Sequence, residues 1–392
     1  MKTTKARAGP RPGREPRGRA ATSRGLLRPG KGADILRRIL VINTGSTSTK
    51  LAVFEDLKNV FETNVSHSAE EIGACGDLLG QYPMRLRAIR SCLEENSLTK
   101  SGFDAVAARG GTFGYAKGGA YLVEENLLAA CRDPITNHPS NLSAIIGAEL
   151  AAEFGCKAYI YDAVCVNEVT DMARMTGLAE VKRRPFSHVL NTRAVARDVA
   201  AKLGKRYEDL NIIVAHLGGG ISVNLHVHGR IVDLCSDDEG PMSPERAGSM
   251  NGKSYVDMCY SGKFTKAEMM RHIKGEGGLV SHLGTSSLIE VEERIDAGDS
   301  HADFVLDTMA YQIAKAIGAL AAAACGEIDA VILTGGCAHS RRLTERISER
   351  VRFIAPVAIV PGAKEMEALA EGITRVLEGK ENYSIYEKSG GQ

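Results

Sequence analysis

Residues 43–50, Asn-Thr-Gly-Ser-Thr-Ser-Thr-Lys, place an amide side chain, hydroxyls at Thr44, Ser46, Thr47 and Ser48, and the ammonium of Lys50 around one glycine. Backbone amides, hydroxyl donors and an ammonium converging on a turn suit the oxygens of a phosphate. An ordinary polar hairpin also fits this segment taken alone, but a hairpin does not need four hydroxyls followed by a lysine. A second candidate is Gly218-Gly219-Gly220 after His216. Three glycines in a row cost conformational entropy, which is tolerable where backbone must approach a ligand closely. Thr334-Gly335-Gly336 follows an apolar run, and sheets of α/β proteins bind ligands beyond the carboxyl ends of their strands. Residues 247–254, AGSMNGKS, fit a relaxed nucleotide-loop pattern, but no strand precedes them, so this match is rejected.

These residues need elements to hold them. The apolar runs 39–42 and 51–54 predict two buried strands joined at the polar turn. A helix is expected over about 70–95, a strand at 104–108, and a glycine-rich loop at 110–119. Ser140 or Asn141 is expected to cap a helix running to Phe154, followed by a strand at 158–161 and a helix over about 188–203. The second half predicts strands at 211–215, 221–227 and 230–234, and a long helix over 302–324. That helix carries Val305, Met309, Ile313, Ile317 and Leu320 on one face. A strand at 330–333 and a final helix from about Lys364 complete the pattern. Residues 211–223, NIIVAHLGGGISV, repeat the plan of 39–54: strand, small polar turn, returning strand. Alternating strands and helices indicate an α/β protein.

The chain of 392 residues is long enough for two domains, and 44% hydrophobic with 25% charged residues is the composition of a globular protein. The net charge of +1 averages unlike parts. Residues 1–33 hold ten of the 49 Lys and Arg and one of the 48 acidic residues, leaving 39 basic against 47 acidic in the rest. The mildly acidic body argues against nucleic acid as a partner. The basic, Pro- and Gly-rich stretch lacks the apolar residues to fold and is expected to be a disordered extension over 1–36. Nine scattered cysteines without a C-x-x-C pair exclude the usual zinc spacings and fit a reducing cytoplasm. No stretch is apolar and long enough to span a bilayer.

INTGSTSTK, HLGGGIS and LTGG, in this order, resemble the acetate and sugar kinase, heat-shock chaperone and actin superfamily. Within it the chain is similar to the acetokinase family, above all its butyrate kinases. Further matching segments are Arg109-Gly-Gly, His138-Pro-Ser-Asn141, Tyr161-Asp162, Phe186-Ser-His188, the run from Glu239 through Arg246 to Gly248, and residues 361–370. The resemblance covers about 38–379. It implies two ribonuclease-H-like domains, 37–162 and 163–365, with mixed sheets flanked by helices and an active-site cleft between them. A C-terminal helix at about 366–380 would return to the first domain.

The activity implied is reversible transfer of the ATP γ-phosphate to a short-chain carboxylic acid, butyrate first, with acetate, propionate and branched acids as alternatives. A carboxylate is already ionised at neutral pH, so what the enzyme must supply is alignment and charge neutralisation. By resemblance, Arg109 and Arg246 bind the carboxylate and the moving phosphoryl oxygens, and His188 stabilises the phosphoryl group in transfer. Asp162 lies near metal and substrate, and His138 and His216 line the cleft. The resemblance assigns Ser46, Ser48, Lys50, His216, Gly218, Gly219, Gly220, Gly335 and Gly336 to ATP. Asn43 and Glu365 hold Mg²⁺ through water, with Glu367 as the alternative carboxylate. A homo-oligomer acting in the cytoplasm is expected. Two departures stand out. Thr44 replaces the usual proline, predicting a looser turn, and Ser187 changes the usual Phe-His spacing. A non-catalytic, nucleotide-gated binding protein of the same fold is the rival reading, but it has no need of the two arginines.

Overall fold

The apolar runs of the first turn form strands in a computed structural model that describes residues 36–184 and 186–387. The basic extension therefore lies almost wholly outside the described residues. Strand β1 (Arg38–Thr44) pairs antiparallel with β2 (Ser48–Glu55), with Asn43 opposite Lys50. Asp56 and Leu57, both at positive φ, turn the chain into β3 (Lys58–Ser66). β4 (Ala105–Arg109) lies parallel to β1 on its other side, and β6 (Lys157–Tyr161) lies parallel to β4, putting Arg109 opposite Tyr161. β5 (Ala120–Leu122) and β12 (Tyr383–Ile385) extend that edge, giving the order β12-β5-β6-β4-β1-β2-β3.

The second sheet repeats the plan. β7 (Asn211–Leu217), β8 (Ile221–Val227) and β9 (Arg230–Cys235) form an antiparallel meander, as β1 to β3 do. β10 (Ala330–Gly335) lies parallel to β7, and β11 (Val357–Pro361) parallel to β10.

Alternation along each strand sends successive side chains to opposite faces, so each sheet needs helices on both. On one face of the first sheet, Leu40, Ile42 and Val106 meet Leu142, Ile146 and Leu150 of helix Ser140–Phe154, and Leu86 and Ile89 of helix Tyr82–Glu95. On the other, Ile39, Val41 and Ala107 meet Met366, Leu369 and Ile373 of helix Glu365–Leu377. In the second sheet, Ile213 and Ala215 pack on helix Ser300–Ala323, and Ile212 and Val214 on helix Val189–Lys202. The predicted stripe of the long helix is buried throughout.

Two expectations are corrected. The helix over 70–95 is broken into Ala69–Ala74 and Tyr82–Glu95, because Gly76 takes φ +77° between them. Ser140 and Asn141 do not cap their helix. They lie inside its first turn after Pro139, and Asn141 Oδ1 instead accepts the amide of Thr112 at 2.7 Å.

Candidate active site

Adjacent parallel strands end together, so β1 and β4 deliver Asn43 and Arg109 to one spot, where helix Glu365–Leu377 begins. Asn43 Nδ2 donates to Glu365 Oε2 at 2.8 Å, and Arg109 Nη2 approaches Glu365 Oε1 at 3.4 Å. Arg109 first, then the Asn43 hydrogen bond and the Lys50 charge, hold the Glu365 carboxyl below its ordinary range against the effect of burial. Arg109 Nη1 is buried and has no partner among the described residues. His138 accepts the Ser140 amide at Nδ1 (3.2 Å), and burial with the Arg109 and Lys274 charges pushes it down to about 4.

In the first turn, Gly45 N donates to Ser48 O at 2.8 Å, while Ser46, Thr47 and Lys50 are exposed. Thr44 does not loosen this turn. It is buried, its amide donates to Ser143 Oγ at 2.9 Å, and its hydroxyl donates to Pro139 O at 2.6 Å. A proline could make neither bond.

Gly218, Gly219 and Gly220 take no positive φ, so side-chain space rather than backbone strain accounts for them. A Cβ at Gly218 would lie 3.3 Å from His216 Nε2, at Gly219 3.1 Å from Glu245 Oε2, and at Gly220 2.8 Å from Asp237 Oδ2 and 3.3 Å from Arg246 Nε. The loop carrying Arg246 is tied to this turn, since Ser243 Oγ and Glu245 N both donate to Gly219 O. Arg246 Nη2 holds Asp237 Oδ2 at 3.2 Å, and its Nε is buried without a partner among the described residues. Lys274 pairs with Arg246 through an isolated backbone bridge. Gly335 sits at φ +92° with a Cβ position 2.3 Å from Leu217 O, so it serves backbone packing, whereas Gly336 has open space around its Cβ position.

His188 and His216 join the two sides. Their rings stack at 3.9 Å and 8°. His188 Nδ1 contacts Ser222 Oγ at 2.9 Å. Asn191 Oδ1 accepts the Lys364 amide at 2.9 Å, which turns its Nδ2 toward His216 Nδ1, also at 2.9 Å. His216 Nδ1 is then the acceptor and Nε2 carries the proton. Burial, then Arg109, Arg246 and Lys274, push His188 down to about 4, and burial with His188 drives His216 well below its ordinary value. At neutral pH both rings are uncharged donors within the fields of arginines from both sheets.

Asp162 is held apart from this group. It is buried at φ +42°, and its Oδ1 receives Gly119 N and Arg193 Nη1, each at 2.8 Å. Among the described residues it makes no hydrogen bond or ion pair to Asn43, Arg109, Glu365 or either histidine. Glu367 likewise makes none to Asn43 or Arg109. The rejected 247–254 match leads into helix Gly252–Cys259, capped by Asn251, with Lys253 exposed. Sequence reasoning missed Asn191, Asp237, Glu245 and Lys274. Of these only Lys274, set before Gly275, Gly277 and Gly278, carries a local signal.

No group of three or more His, Cys, Asp or Glu side chains placed to hold a metal occurs among the described residues. No helix there is long and apolar enough to cross a membrane.

Two mixed sheets of one plan, with glycine turns, Arg109 at a strand end and Arg246 beside Gly220, define an α/β fold built from a repeated strand–turn–strand unit. The fold matches Porphyromonas gingivalis acetate kinase at a TM-score of 0.72 and 19% identity, covering 86% of this chain and 99% of that one. A propionate kinase from Francisella tularensis matches at 0.70 and 15%, with the same coverage. Residues 178–355 match the acetokinase family, and the chain is 45% identical over 351 residues to a probable butyrate kinase 2 of Caldanaerobacter subterraneus, covering 89% of this chain and 99% of that relative. The chain belongs to the acetokinase family, enzymes that transfer phosphate between ATP and a carboxyl group.

Proposed function

We propose that this protein transfers the γ-phosphate of ATP to butyrate, reversibly, giving butyryl phosphate and ADP. The observation that carries this reading is the arginine pair, buried Arg109 and part-buried Arg246, each with a buried nitrogen that has no partner among the described residues and both acting on His188. Such donors suit an anion that bridges the two sheets, and planar guanidinium groups suit carboxylate and phosphoryl oxygens. The attacking carboxylate needs no base. Arg109 and Arg246 align it with the phosphoryl group and neutralise charge as it moves, while neutral His188 and His216 donate hydrogen bonds. His138 lines the carboxylate side.

Residues 46–50 and 218–220 hold the phosphates, with Gly335 and Gly336 toward the nucleotide. Asn43 and Glu365 offer hard oxygens, too few for a protein cage but suited to Mg²⁺ shared with phosphate and water. When bound, the ion adds charge neutralisation on the phosphates. Glu365 rather than Glu367 takes this role, because Glu365 meets Asn43 and Arg109. Asp162, braced by Arg193, takes the place near metal and substrate that the family resemblance gives it. The reading includes a division into 37–162 and 163–365 with 366–380 returning to the first part, a homo-oligomer, and action in the cytoplasm.

Preference among short acids should be graded, since each buried methylene contributes about 0.8 kcal/mol. A hydroxamate assay for acyl phosphate, using acids of two to six carbons with ATP and Mg²⁺, tests the proposal. The highest kcat/KM is expected with butyrate. A better acetate or propionate reassigns the substrate, and no hydroxamate with any acid defeats the reading.

A further inference from the structure

Behind the first turn lies a charged side chain that the mechanism above does not use. Arg85, in helix Tyr82–Glu95, is fully buried. Its five N–H donors match five bonds to neutral oxygens. Nε and Nη2 reach Gln81 Oε1 at 3.1 and 2.9 Å, Nη1 reaches Ser48 O at 2.8 Å and Thr49 Oγ1 at 3.0 Å, and Nη2 reaches Ser46 O at 3.0 Å. Among the described residues it forms no ion pair. Buried charges are normally paired, and this one leaves a positive charge beneath the turn with no carboxylate to answer it.

The same bonds set the direction of the turn. Arg85 holds the carbonyls of Ser46 and Ser48, and the His67 amide donates to Thr47 O at 2.8 Å. His67 Nε2 also contacts Thr49 Oγ1 at 2.9 Å, closing the network. Three successive carbonyls, those of residues 46–48, are thus engaged on the protein side. Ser46 and Thr47 remain exposed, and their amides donate to nothing among the described residues. Outward amides with a cation behind them make an anion-binding concavity.

We infer that Arg85 is a positioning residue for the polyphosphate of ATP: by engaging the carbonyls of the turn it leaves the amides of Ser46 and Thr47 free for phosphate, and it supplies a buried positive charge whose counter-ion is the bound phosphate. This rests on reading 43–50 as a phosphate turn.

The test compares full-length wild type with Arg85→Lys and Arg85→Gln. Calorimetry measures binding of ATP, inorganic tripolyphosphate and adenosine, and steady-state kinetics separates kcat from KM. Arg85→Gln should lose about tenfold or more in affinity for ATP and tripolyphosphate while binding adenosine as wild type does. Arg85→Lys keeps the charge but not the planar fork. It should hold ATP affinity within about threefold and lose about tenfold in kcat, because the turn is misaligned. Equal losses for ATP and adenosine, or unchanged ATP affinity, in a folded Gln variant would overturn the inference. If the Gln variant fails to fold, the Lys variant decides, and wild-type kcat there overturns it. Unaffected variants of an active enzyme reject only this inference, whereas a wild type that forms no acyl phosphate rejects the proposed function.

Discussion

Arg246→Ala should lower turnover and weaken ATP binding for two separable reasons. The guanidinium has a buried Nε beside Gly220 with no partner among the described residues, and an Nη2 that holds Asp237 at 3.2 Å. Removing a preorganised donor aimed at developing charge costs roughly 2.7–4 kcal/mol, or about 10²–10³ in kcat. The second effect comes from the residue left behind. Without Arg246, the Asp237 carboxylate stands unpaired against the Gly218–Gly220 turn, 2.8 Å from where a Gly220 Cβ would lie. At an effective dielectric of about 20, two unit charges ~6 Å apart repel by about 3 kcal/mol. The Asp237 side chain is 20% exposed, and screening trims this to about 1–2 kcal/mol, near tenfold in KM for ATP. Steady-state kinetics on Arg246→Ala and on Arg246→Ala/Asp237→Asn separates the two effects. The double variant should recover KM but not kcat. Retention of more than about a tenth of kcat in the single variant, or recovery of kcat in the double, would refute this account.

Other perturbations address the histidines and glycines. Asn191→Asp presents a carboxylate to His216 Nδ1 while still accepting the Lys364 amide, so His216 should titrate at higher pH. Histidine NMR and a shifted pH–rate profile check this, and an unchanged titration counts against the assigned tautomer. His138 and His188 are held down to about 4 and His226 to about 3, chiefly by burial, so the native rings stay neutral where unfolded ones protonate. The unfolded chain therefore binds more protons as pH falls from about 6.5 toward 4, and stability should drop over that window by on the order of several kcal/mol. Denaturant midpoints between pH 7.5 and 4.5 measure it, and a flat profile would show charged native histidines. Gly335→Ala should destabilise by about 2 kcal/mol or more, given its positive φ and the 2.3 Å approach to Leu217 O. Gly336→Ala should leave the melting temperature unchanged and weaken ATP binding, as differential scanning calorimetry and nucleotide titration would show.

Much of the scaffold was legible because its signals are local. The runs 39–42, 51–54 and 211–215 are apolar, short and bounded by turn residues, and each lies in a strand. β3 was missed because KNVFETNVS is an edge strand with no fully buried side chain. The helices Gly252–Cys259, Lys266–Ile273, Gly278–Leu283 and Leu288–Asp296 were missed for a similar reason: together they bury only Met269, Gly278, Leu279 and Val291, too few to leave a periodic stripe. Within the site, glycines and arginines at strand ends could be read, but their partners could not. Arg85 reaches Ser46 across 39 positions and Asn191 reaches Lys364 across 173, and no local pattern encodes such bonds.

The longest of these connections explains why the site is sensitive to the end of the chain. Asn43 and Glu365 are 322 positions apart, yet they meet because helix Glu365–Leu377 closes one face of the first sheet, seating Met366, Leu369 and Ile373 on Ile39 and Val41. Burial of those side chains is worth roughly 1.5–3 kcal/mol each, far more than the single Asn43–Glu365 hydrogen bond that it makes possible. The residue before Glu365 is tied in turn to Asn191, and through it to His216 on the second sheet. Hydrophobic packing of one helix thus fixes the carboxylate beside Arg109 and the tautomer of His216, so a shift in its seating must disturb the strand ends of both sheets together.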